Sequence, residues 1–571
     1  MVQGPPGTGK SSFITEVFLQ RIPKTSRVLI CTVTNKAIDS LVSKLESVGV
    51  EDILAVGSKQ RMGEATLRFL MERRVEKVQE VKIARRERRE RRKERRCWMK
   101  ALHEIEKFSN SSKRRQQERL QAVLDGARIS EKDLSLLHAI CSANSQKMTF
   151  VKEEMVLAAR NLLTNENEGK EIIQNSIKST KLKAMKSKQN EEKSENNLSS
   201  CVRRAKIDLW KRSNVVVCTA ASAVNVGSRL MRELEGVMEE DEDEEEFHPL
   251  DFVILDEAAA MLEPDSLGCL LHGARNLLLV GDHLQLQPFS RWKEGQQRGY
   301  RTSLMERLTE GGGGTPCFML DVQYRMHPSI AEAVSREFYR GKLKTDSETA
   351  QARSHPLPAS FVHVSGIESK PSNSSSLMND MEADAVLEIV QAMINSGVHT
   401  QREVVVLSFY NGQKSIISKK LLKKNLGDVE VMSVDSMQGR EAEVVVLSCV
   451  RTLAGGSVGF LADRRRVNVA ISRARQSLVV IGDEQALMQN KLWKSVLSYY
   501  RFFPSYRHFL DEYRSAVVPG WGQAWKESRE AEEARTALGE WELDDGGEGK
   551  DGKSSSGESC SSSNEDGEEE R

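Results

Sequence analysis

Short, continuous apolar runs dominate the hydrophobic pattern of this chain, and they fall into two sets on either side of residue 295. Runs of this length that are rich in β-branched residues indicate strands covered by helices on both faces. Amphipathic segments such as KAIDSLVSKLESVG and MEADAVLEIVQAMINSG separate them. The pattern therefore predicts an α/β fold with two tandem parallel sheets. The runs lie at 27–33, 214–220, 251–258, 276–282, 403–408, 430–436, 443–450 and 477–483.

Residues 73–212 interrupt the first set of runs and have a different composition. They contain no strand-like run, and at 85–96 they carry eight Arg, one Lys and three Glu. Because Arg, Glu and Lys are good helix formers, we predict a long, charged helical insertion in the first domain. The basic block at 85–96 has three open interpretations: a nucleic-acid contact, a nuclear localisation signal, or the solvated face of a charged helix.

The charge of the chain is distributed unevenly. The 571 residues carry a net charge of only +1, but residues 544–571 hold ten acidic and three basic residues, so the remainder is basic. A basic body is compatible with nucleic acid as a partner. The tail at 544–571 is rich in Ser, Gly and acidic residues, and we predict that it is disordered. We expect the eight-acid run at 239–246 to be a mobile surface loop.

The composition disfavours several classes of protein. No apolar run is long enough to cross a membrane, so we expect no membrane partner. The nine cysteines include no CxxC pair. This argues against a zinc site or a disulfide framework, and it favours a reducing compartment, the nucleus or the cytoplasm.

The stretch GPPGTGKS matches G-x-x-x-x-G-K-[ST], the loop that wraps the phosphates of nucleoside triphosphates. Its glycines let backbone N–H groups turn toward phosphate, and the helix that follows adds its dipole. We expect Lys10 to reach the β- and γ-phosphates and Ser11 to bind Mg²⁺. The predicted ATP-binding residues of the loop are Gly4, Pro5, Pro6, Gly7, Thr8, Gly9, Lys10 and Ser11.

A second half of such a site follows in DFVILDEA, at 251–258. The apolar run would deliver Asp256 to the magnesium, and Glu257 would polarise the attacking water. An Asp-Glu pair at the end of a strand is common by itself. Together with the phosphate loop, it predicts an ATPase that uses ATP and Mg²⁺.

Four more motifs occur in order along the chain: GDHLQLQP at 281–288, QYRMHP at 323–328, SVDSMQGRE at 433–441 and RRVNVAISRAR at 465–475. Together with GPPGTGKS and DEAA, they resemble the superfamily 1 helicases. The likeness is greatest to the up-frameshift-type branch, which includes the nonsense-mediated-decay helicase and the GRF-zinc-finger DNA helicases. It covers about residues 1–72 and 213–500.

The resemblance implies that both sheets belong to RecA-like domains. Residues 1–72 and 213–295 would form the first, ATP-binding domain. The helical insertion at 73–212 lies inside it. The second helicase domain would comprise 296–500, followed by a C-terminal helical extension at 501–543 and the acidic tail at 544–571.

The resemblance also implies roles in hydrolysis for residues outside the loop. Gln285 would sense the γ-phosphate and the attacking water. Arg325 and Arg473 would be arginine fingers that neutralise charge in the transition state. The remaining nucleotide-binding residues are Tyr324, which would stack on the adenine, Gly439, and Glu441, which would hold the ribose.

Six residues in matching motifs would contact a nucleic-acid strand across the tops of both domains. Their hydroxyl and amide groups would contact phosphate and sugar rather than base edges, so we expect little sequence preference. Each of these side chains could instead cap a helix. The six are Thr34, Asn35, Thr219, Ser408, Tyr410 and Ser433.

These features predict an ATP-dependent helicase or translocase that acts as a monomer on single-stranded DNA or RNA. The resemblance implies movement from 5′ to 3′. Protein partners would dock on the helical insertion and the acidic tail. Two alternatives stay open: an ATP-gated clamp or remodeller of RNA–protein complexes that does not unwind, and an interaction protein whose ATPase is disabled.

The first residues raise a structural question. A phosphate loop of this type normally follows a buried strand, but only Met1-Val2-Gln3 precede GPPGTGKS. We therefore expect the strand to be missing, the chain to be truncated at its N-terminus, and the neighbouring strands to lack a partner.

Overall fold

Two sheets of parallel strands form the scaffold of the protein. The computed structural model describes residues 1–516 except 51, 125–135, 137–139, 142–158, 165, 225–249, 273, 312–313, 371–375 and 453–457. All eight apolar runs contain strands, so the predicted α/β fold with two tandem sheets is confirmed. The predictions for the acidic run at 239–246 and the tail at 544–571 lie outside the described residues.

The first sheet contains seven strands within the described residues. They are β1 (Val2–Gln3), β2 (Val28–Thr32), β3 (Ile53–Val56), β4 (Val215–Thr219), β5 (Phe252–Asp256), β6 (Asn276–Gly281) and β7 (Phe318–Met319). Their spatial order is β3-β4-β2-β5-β6-β1-β7, and all pairs are parallel. Strands β2 and β4 are buried along their whole length, as expected for the centre of a sheet that is covered on both faces.

The phosphate loop leads into a helix that changes its winding. It begins as α1 (Lys10–Ser12), widens into a π-helical segment (Phe13–Phe18) and ends as α2 (Leu19–Arg21). The next helix, α3 (Asn35–Ser47), is capped by the Thr34 side chain. Short helical segments follow at Lys59–Arg61 and in α4 (Glu64–Leu67).

Most of the described insertion is helical. It contains α5 (Met71–Lys77), α6 (Gln79–Ser109), α7 (Lys113–Leu124) and α8 (Glu166–Arg212). Helices α6 and α8 form an antiparallel hairpin, because Arg88 pairs with Glu195 whereas Glu106 pairs with Lys181. The base of the hairpin joins the core of the first sheet, and its far end has an apolar cluster of its own. These clusters include Val81, Ala84, Cys201 and Ala205 at the base, and Ile105, Phe108, Leu120 and Ile173 at the far end.

The second sheet has six parallel strands within the described residues, in the order β14-β13-β15-β16-β10-β17. They are β10 (Ala359–His363), β13 (Val404–Ser408), β14 (Glu430–Ser433), β15 (Ala442–Ser448), β16 (Ala474–Gly482) and β17 (Arg501–Phe503). Two small pairs accompany it: β8 (Val322–Gln323) with β9 (Lys344–Thr345), and β11 (Glu368–Ser369) with β12 (Met378–Asn379).

The remaining helices cover the two sheets. In the first half these are α9 (Glu263–Gly268), α10 (Lys293–Gln297) and α11 (Leu304–Glu310), with short 3₁₀ turns at Ala258–Ala260 and Cys269–His272. The second half contains α12 (Pro328–Tyr339), α13 (Ser347–Ala352), α14 (Asp380–Asn395), α15 (Asn411–Lys423), α16 (Arg464–Ile471), α17 (Glu484–Met488), α18 (Lys491–Ser498) and α19 (Tyr506–Ala516). Its 3₁₀ turns are Gln401–Glu403, Asp435–Met437 and Gly459–Ala462. Across the described ranges, no helix has both the length and the apolarity needed to cross a membrane.

The expectation of a missing strand before the phosphate loop is wrong. Residues Val2 and Gln3 form β1, which pairs with β6 on one side and β7 on the other. The Met1 ammonium group donates to Pro316 O at 2.7 Å, and Gly4 N donates to Gly281 O at 2.8 Å. Ladder bonds use backbone groups alone, so two residues suffice where both neighbours are already in place.

Two predicted domain boundaries also differ from the observed sheets. Strand β7 lies beyond residue 295 but belongs to the first sheet, and β17 lies beyond residue 500 but belongs to the second. Neither segment has the long β-branched run by which strands were recognised, because β7 has two residues and β17 has three. Of the predicted extension at 501–543, only residues 501–516 are described.

Candidate active site

The phosphate loop at 4–11 connects β1 to the helix that starts at Lys10. Gly7 and Gly9 have φ angles of 77° and 74°, a left-handed conformation that glycine adopts at little cost. The Lys10 Nζ atom donates to Gly4 O at 3.0 Å and lies 3.6 Å from Glu257 Oε1. A Cβ atom on Gly4 would come within 2.2 Å of the Lys10 side chain. Glycine at position 4 therefore makes room for the lysine.

Asp256 and Glu257 come at the end of β5, directly beside the loop. Asp256 is only 4% exposed, and the Ser11 hydroxyl donates to its Oδ2 atom at 3.5 Å. Burial and the neighbouring Glu257 carboxylate raise the pKa of Asp256 to about 6, although Lys10 acts in the opposite direction. A hydroxyl next to a buried carboxylate is a donor set that fits Mg²⁺, a cation that binds oxygen ligands.

Glu257 has an unusual backbone conformation, with φ 57°. Non-glycine residues in this left-handed region cost on the order of 1–3 kcal/mol, and the surrounding structure must hold them there. The Glu257 N–H donates to Asp256 Oδ1 at 3.0 Å. This turn directs the chain away from β5 immediately after the two carboxylates.

A buried polar network connects the two halves of the molecule through Gln285. The Gln285 Nε2 atom donates to Asp282 Oδ2 at 2.7 Å, and its Oε1 atom accepts from Arg473 Nη2 at 3.0 Å. Asp282 also accepts from the Tyr339 hydroxyl at 2.5 Å, and that hydroxyl accepts from Asn468 Nδ2 at 2.9 Å. All five side chains are buried, so the network fixes the segment after β6 against α12 and α16.

The Arg473 guanidinium is 2% exposed. Burial, followed by repulsion from Arg325, lowers the pKa of Arg473 to about 9, while attraction to Glu257 and Glu441 acts in the opposite direction. Its Nη1 atom donates to Arg440 O at 3.2 Å. Arg473 is therefore a positive charge held largely by neutral acceptors, close to a second positive charge, and an anion between them would relieve the repulsion.

The QYRMHP segment lies directly against the phosphate loop. The Tyr324 N–H donates to Gly7 O at 2.8 Å, and a Cβ atom on Gly7 would lie 2.7 Å from the Arg325 Cβ atom. The Arg325 Nε atom donates to Glu441 Oε2. The Tyr324 side chain is 46% exposed, which leaves a ring face accessible. Gly439, with φ 74°, precedes Glu441 by two residues.

The structure thus brings the residues predicted for ATP binding and hydrolysis into one site, although they come from six separate segments. Direct contacts or electrostatic interactions link each member to at least one other. Tyr324 lies at the edge of the site, where its backbone N–H donates to Gly7 O. The linked side chains are those of Lys10, Ser11, Asp256, Glu257, Gln285, Arg325, Glu441 and Arg473.

The predicted nucleic-acid contacts of the first half lie where parallel strands end. Thr34 and Asn35 follow β2, and Thr219 is the last residue of β4. The Thr34 Oγ1 atom accepts from Ala37 N at 3.2 Å, and the Thr219 Oγ1 atom accepts from Ser222 N at 3.2 Å. Each of these hydroxyls therefore makes the backbone contact expected of a helix cap, which was the alternative interpretation.

Two of the three side chains that are predicted to contact nucleic acid in the second half are buried. Ser408 is fully buried and donates to Ser448 O at 3.1 Å, and the Tyr410 ring is buried beside Phe460. Ser433 is at the surface, and its Oγ atom lies 2.7 Å from Ser436 Oγ. Of these three predicted contacts, only Ser433 therefore reaches solvent in this conformation.

Sequence reasoning did not assign Asp282, Tyr339 or Asn468, the other members of the buried network. A signal was present for two of them. Asp282 directly follows an apolar run, just as Asp256 does, and Asn468 stands between the buried residues Val467 and Val469 in RRVNVAIS. Tyr339 had no such signal, because an aromatic residue at a helix end is most often ordinary core.

Comparison with known proteins gives the family of the chain. A family profile described as an AAA domain matches residues 1–290, and a second with the same description matches 300–485. Regulator of nonsense transcripts 1 from Caenorhabditis elegans is 27% identical over 88% of this chain. DNA-binding protein SMUBP-2 from Mesocricetus auratus is 28% identical over 91% of it. ATP-dependent helicase NAM7 from Saccharomyces cerevisiae is 33% identical over 52% of it.

The fold and the site define a P-loop protein with two tandem α/β sheets. The chain belongs to the AAA-domain family of superfamily 1 helicases, in the up-frameshift-type branch. It spans 38%, 44% and 30% of the lengths of the nematode, hamster and yeast relatives, respectively.

Proposed function

We propose that this protein is an ATP-dependent translocase that moves along single-stranded DNA or RNA and unwinds duplexes. The observation that carries the proposal is the buried bond between Gln285 and Arg473, which joins the segment after β6 to the turn between α16 and β16. A nucleotide bound beside it would touch both halves of the molecule. Binding and hydrolysis would then change how the two halves are held together, which is how a hinge motion becomes a step.

Each residue of the site has a separate role in the proposed hydrolysis reaction. The loop amides and Lys10 hold the phosphates, and Glu257 orients and activates the attacking water. Gln285 positions the same water. Arg325 and Arg473 neutralise the charge that develops on the transferred phosphoryl group.

The pairing of Arg325 with Glu441 has a role in this scheme. Glu441 is the proposed ribose ligand, and Tyr324 stacks on the adenine. When nucleotide binds, Arg325 exchanges the Glu441 carboxylate for phosphate oxygens, and Glu441 becomes available to the ribose hydroxyls. A single ion-pair exchange thus couples recognition of the nucleoside to the positioning of an arginine finger.

Mg²⁺ fits the pair formed by Ser11 and Asp256. When bound, the ion would be held by Ser11 and Asp256 and would reduce the charge of the phosphates. Among the described residues, no group of three or more His, Cys, Asp or Glu side chains is placed to hold a metal. This suits an ion that takes most of its ligands from phosphates and water rather than from a protein cage.

The single strand of nucleic acid would cross the carboxyl ends of the β-strands in both sheets. Thr34, Asn35, Thr219 and Ser433 would contact its phosphates and sugars, and movement would run from 5′ to 3′, as the resemblance implies. Ser408 and Tyr410 would act from beneath this surface by holding the backbone after β13. Contacts of this type carry little sequence information. We propose that the protein works as a monomer in the nucleus or the cytoplasm and that protein partners dock on the helical insertion and the acidic tail.

The rate of ATP hydrolysis with and without a single-stranded oligonucleotide tests the proposal. The proposal expects hydrolysis that requires Mg²⁺ and that rises when the strand is added. A hydrolysis rate that neither DNA nor RNA strands increase contradicts the proposal. Complete absence of hydrolysis favours an interaction protein. Unwinding of a duplex that carries a single-stranded overhang then distinguishes the translocase from a clamp or remodeller.

A further inference from the structure

The basic block at 85–96 is divided between two faces of α6. The inner face packs against α8 and carries arginines that pair with glutamates. Arg88 donates to Glu195, and Arg95 donates to Glu191 at 2.9 Å. These bonds lie between the apolar cluster at the base of the hairpin and the one at its far end. The inner arginines therefore hold the middle of the hairpin together.

The outer face of α6 carries a second set of cations, which we call the outer stripe. Successive members are alternately four and three residues apart, a spacing that keeps side chains on one side of a helix. At 1.5 Å per residue, the outer stripe is about 27 Å long. All of its members are exposed, and among the described contacts only Arg86 has an ion pair, with Glu90. The outer stripe consists of Lys82, Arg86, Arg89, Lys93, Arg96 and Lys100.

This arrangement is unfavourable for the helix by itself. Like charges three or four residues apart repel and destabilise a helix by about 0.2–0.5 kcal/mol for each pair. The inner arginines relieve this cost through the glutamates of α8, whereas among the described ion pairs of the outer stripe only Arg86 has an acidic partner, Glu90. An anionic partner along the outer face would relieve it.

The shape and chemistry of the outer stripe favour one kind of anion. Double-stranded nucleic acid is a rigid rod with one charge for about every 1.7 Å of its axis, and a straight row of cations can follow it. Proteins that bind single strands add aromatic side chains on which bases stack. The outer stripe has no aromatic member, and Trp98 is buried, with the Lys183 ammonium group 5.0 Å from its ring centre.

We propose that the outer stripe binds the phosphate backbone of double-stranded nucleic acid, at a surface separate from the single-strand path across the sheets. This goes beyond the proposed translocation, because it assigns a duplex site to the insertion. The base of the hairpin packs into the core of the first sheet through Val81 and Ala84. A duplex on the outer stripe would therefore be held rigidly relative to the ATP site.

The test compares two triple variants of the full chain. The stripe variant carries Arg89→Gln, Lys93→Gln and Arg96→Gln. The control variant removes three exposed lysines from α8 in the same hairpin, through Lys178→Gln, Lys186→Gln and Lys193→Gln. Affinities for a blunt duplex and for a single strand of equal length are measured without nucleotide between about 50 and 200 mM salt. Circular dichroism confirms that both variants keep their helix content.

We expect the stripe variant to lose affinity for duplex and to become less sensitive to salt. Removing three phosphate contacts reduces the slope of log affinity against log salt by about 2.7. Across that salt range, the stripe variant would therefore lose roughly 40-fold less duplex affinity than the parent does. The control variant should keep the parental slope. Binding of the single strand should change much less in either variant.

Three results would overturn the proposal. Equal duplex slopes in the stripe variant and the parent would show that no phosphates are bound there. The same reduction in the control variant would show diffuse electrostatic binding rather than a defined surface. An equal loss for the single strand would assign the outer stripe to the translocation path. Because no nucleotide is used, each result is independent of whether the protein hydrolyses ATP.

Discussion

Asp256 and Glu257 are neighbours for which we propose different tasks, and their surroundings differ accordingly. Asp256 is buried against Ser11, whereas the Glu257 side chain remains 30% exposed within 3.6 Å of Lys10 Nζ. Replacement of Glu257 by Gln should keep ATP binding and abolish turnover, because the group that accepts a proton from water is lost while Lys10 and Ser11 remain. Titration with a fluorescent nucleotide and a steady-state hydrolysis assay check the two effects.

The matched control for this prediction is Lys10→Ala. This variant should weaken ATP binding itself, because the positive charge that contacts the phosphates is removed. Turnover close to that of the parent in Glu257→Gln would remove Glu257 from the mechanism. Unchanged ATP affinity in Lys10→Ala would count against the assignment of the phosphate loop.

Arg473 gives a second prediction at the scale of a residue. Arg473→Ala should lower the hydrolysis rate on the order of 10³-fold, because an arginine finger acts on the transition state. Binding of a single strand should change little. Arg466→Ala, on the helix α16 that precedes Arg473, is the control, since Arg466 pairs with Asp435 near the surface. Loss of strand binding with intact hydrolysis in Arg473→Ala would place that arginine on the nucleic-acid path instead.

At the scale of an element, helix α14 holds the end of β15 and the residues that follow it through one buried carboxyl group. Glu382 Oε2 accepts from Ser448 Oγ at 2.7 Å and from Val450 N at 2.9 Å. Val450 has φ 72°, a strained conformation for a β-branched residue. Burial raises the pKa of Glu382 to about 8.

This pKa predicts how stability changes with pH. Between about pH 5 and pH 8, folded Glu382 keeps a proton that the unfolded chain has released, so its contribution to the free energy of unfolding falls as pH rises. Glu382→Gln should remove this decline. Urea unfolding at several pH values, with the exposed Glu388→Gln on the same helix as a control, measures it. Parallel pH profiles for Glu382→Gln and the parent would contradict the assignment.

The elements show which parts of the fold could be predicted from the sequence. The eight long apolar runs are strands, because β-branched residues covered on both faces leave an unmistakable pattern. Strands β1 and β7 have two residues each and carry no such pattern, since their partners rather than their side chains define them. Glu382 had one sequence signal: it shares a helical face with the buried residues Val386 and Ile389. A carboxylate there could be recognised as buried, but its partners on other elements could not.

At the scale of the whole molecule, the site depends on contacts between segments that are far apart in the sequence. The motifs predict which residues take part, and the structure brings Lys10, Gln285 and Arg473 together in one connected site. The pairing of Arg325 with Glu441 and the burial of Ser408 could not be predicted, because both depend on how the two halves meet. The division of the basic block into inner and outer faces likewise required the position of α8.

We propose that ATP hydrolysis moves this protein along a single nucleic-acid strand, and release of streptavidin from a biotinylated oligonucleotide measures that movement. Movement from 5′ to 3′ predicts ATP-dependent release from a 3′ biotin, slower release from a 5′ biotin, and no release by Glu257→Gln. Strand-stimulated hydrolysis without release from either end would contradict translocation and would leave an ATP-gated clamp.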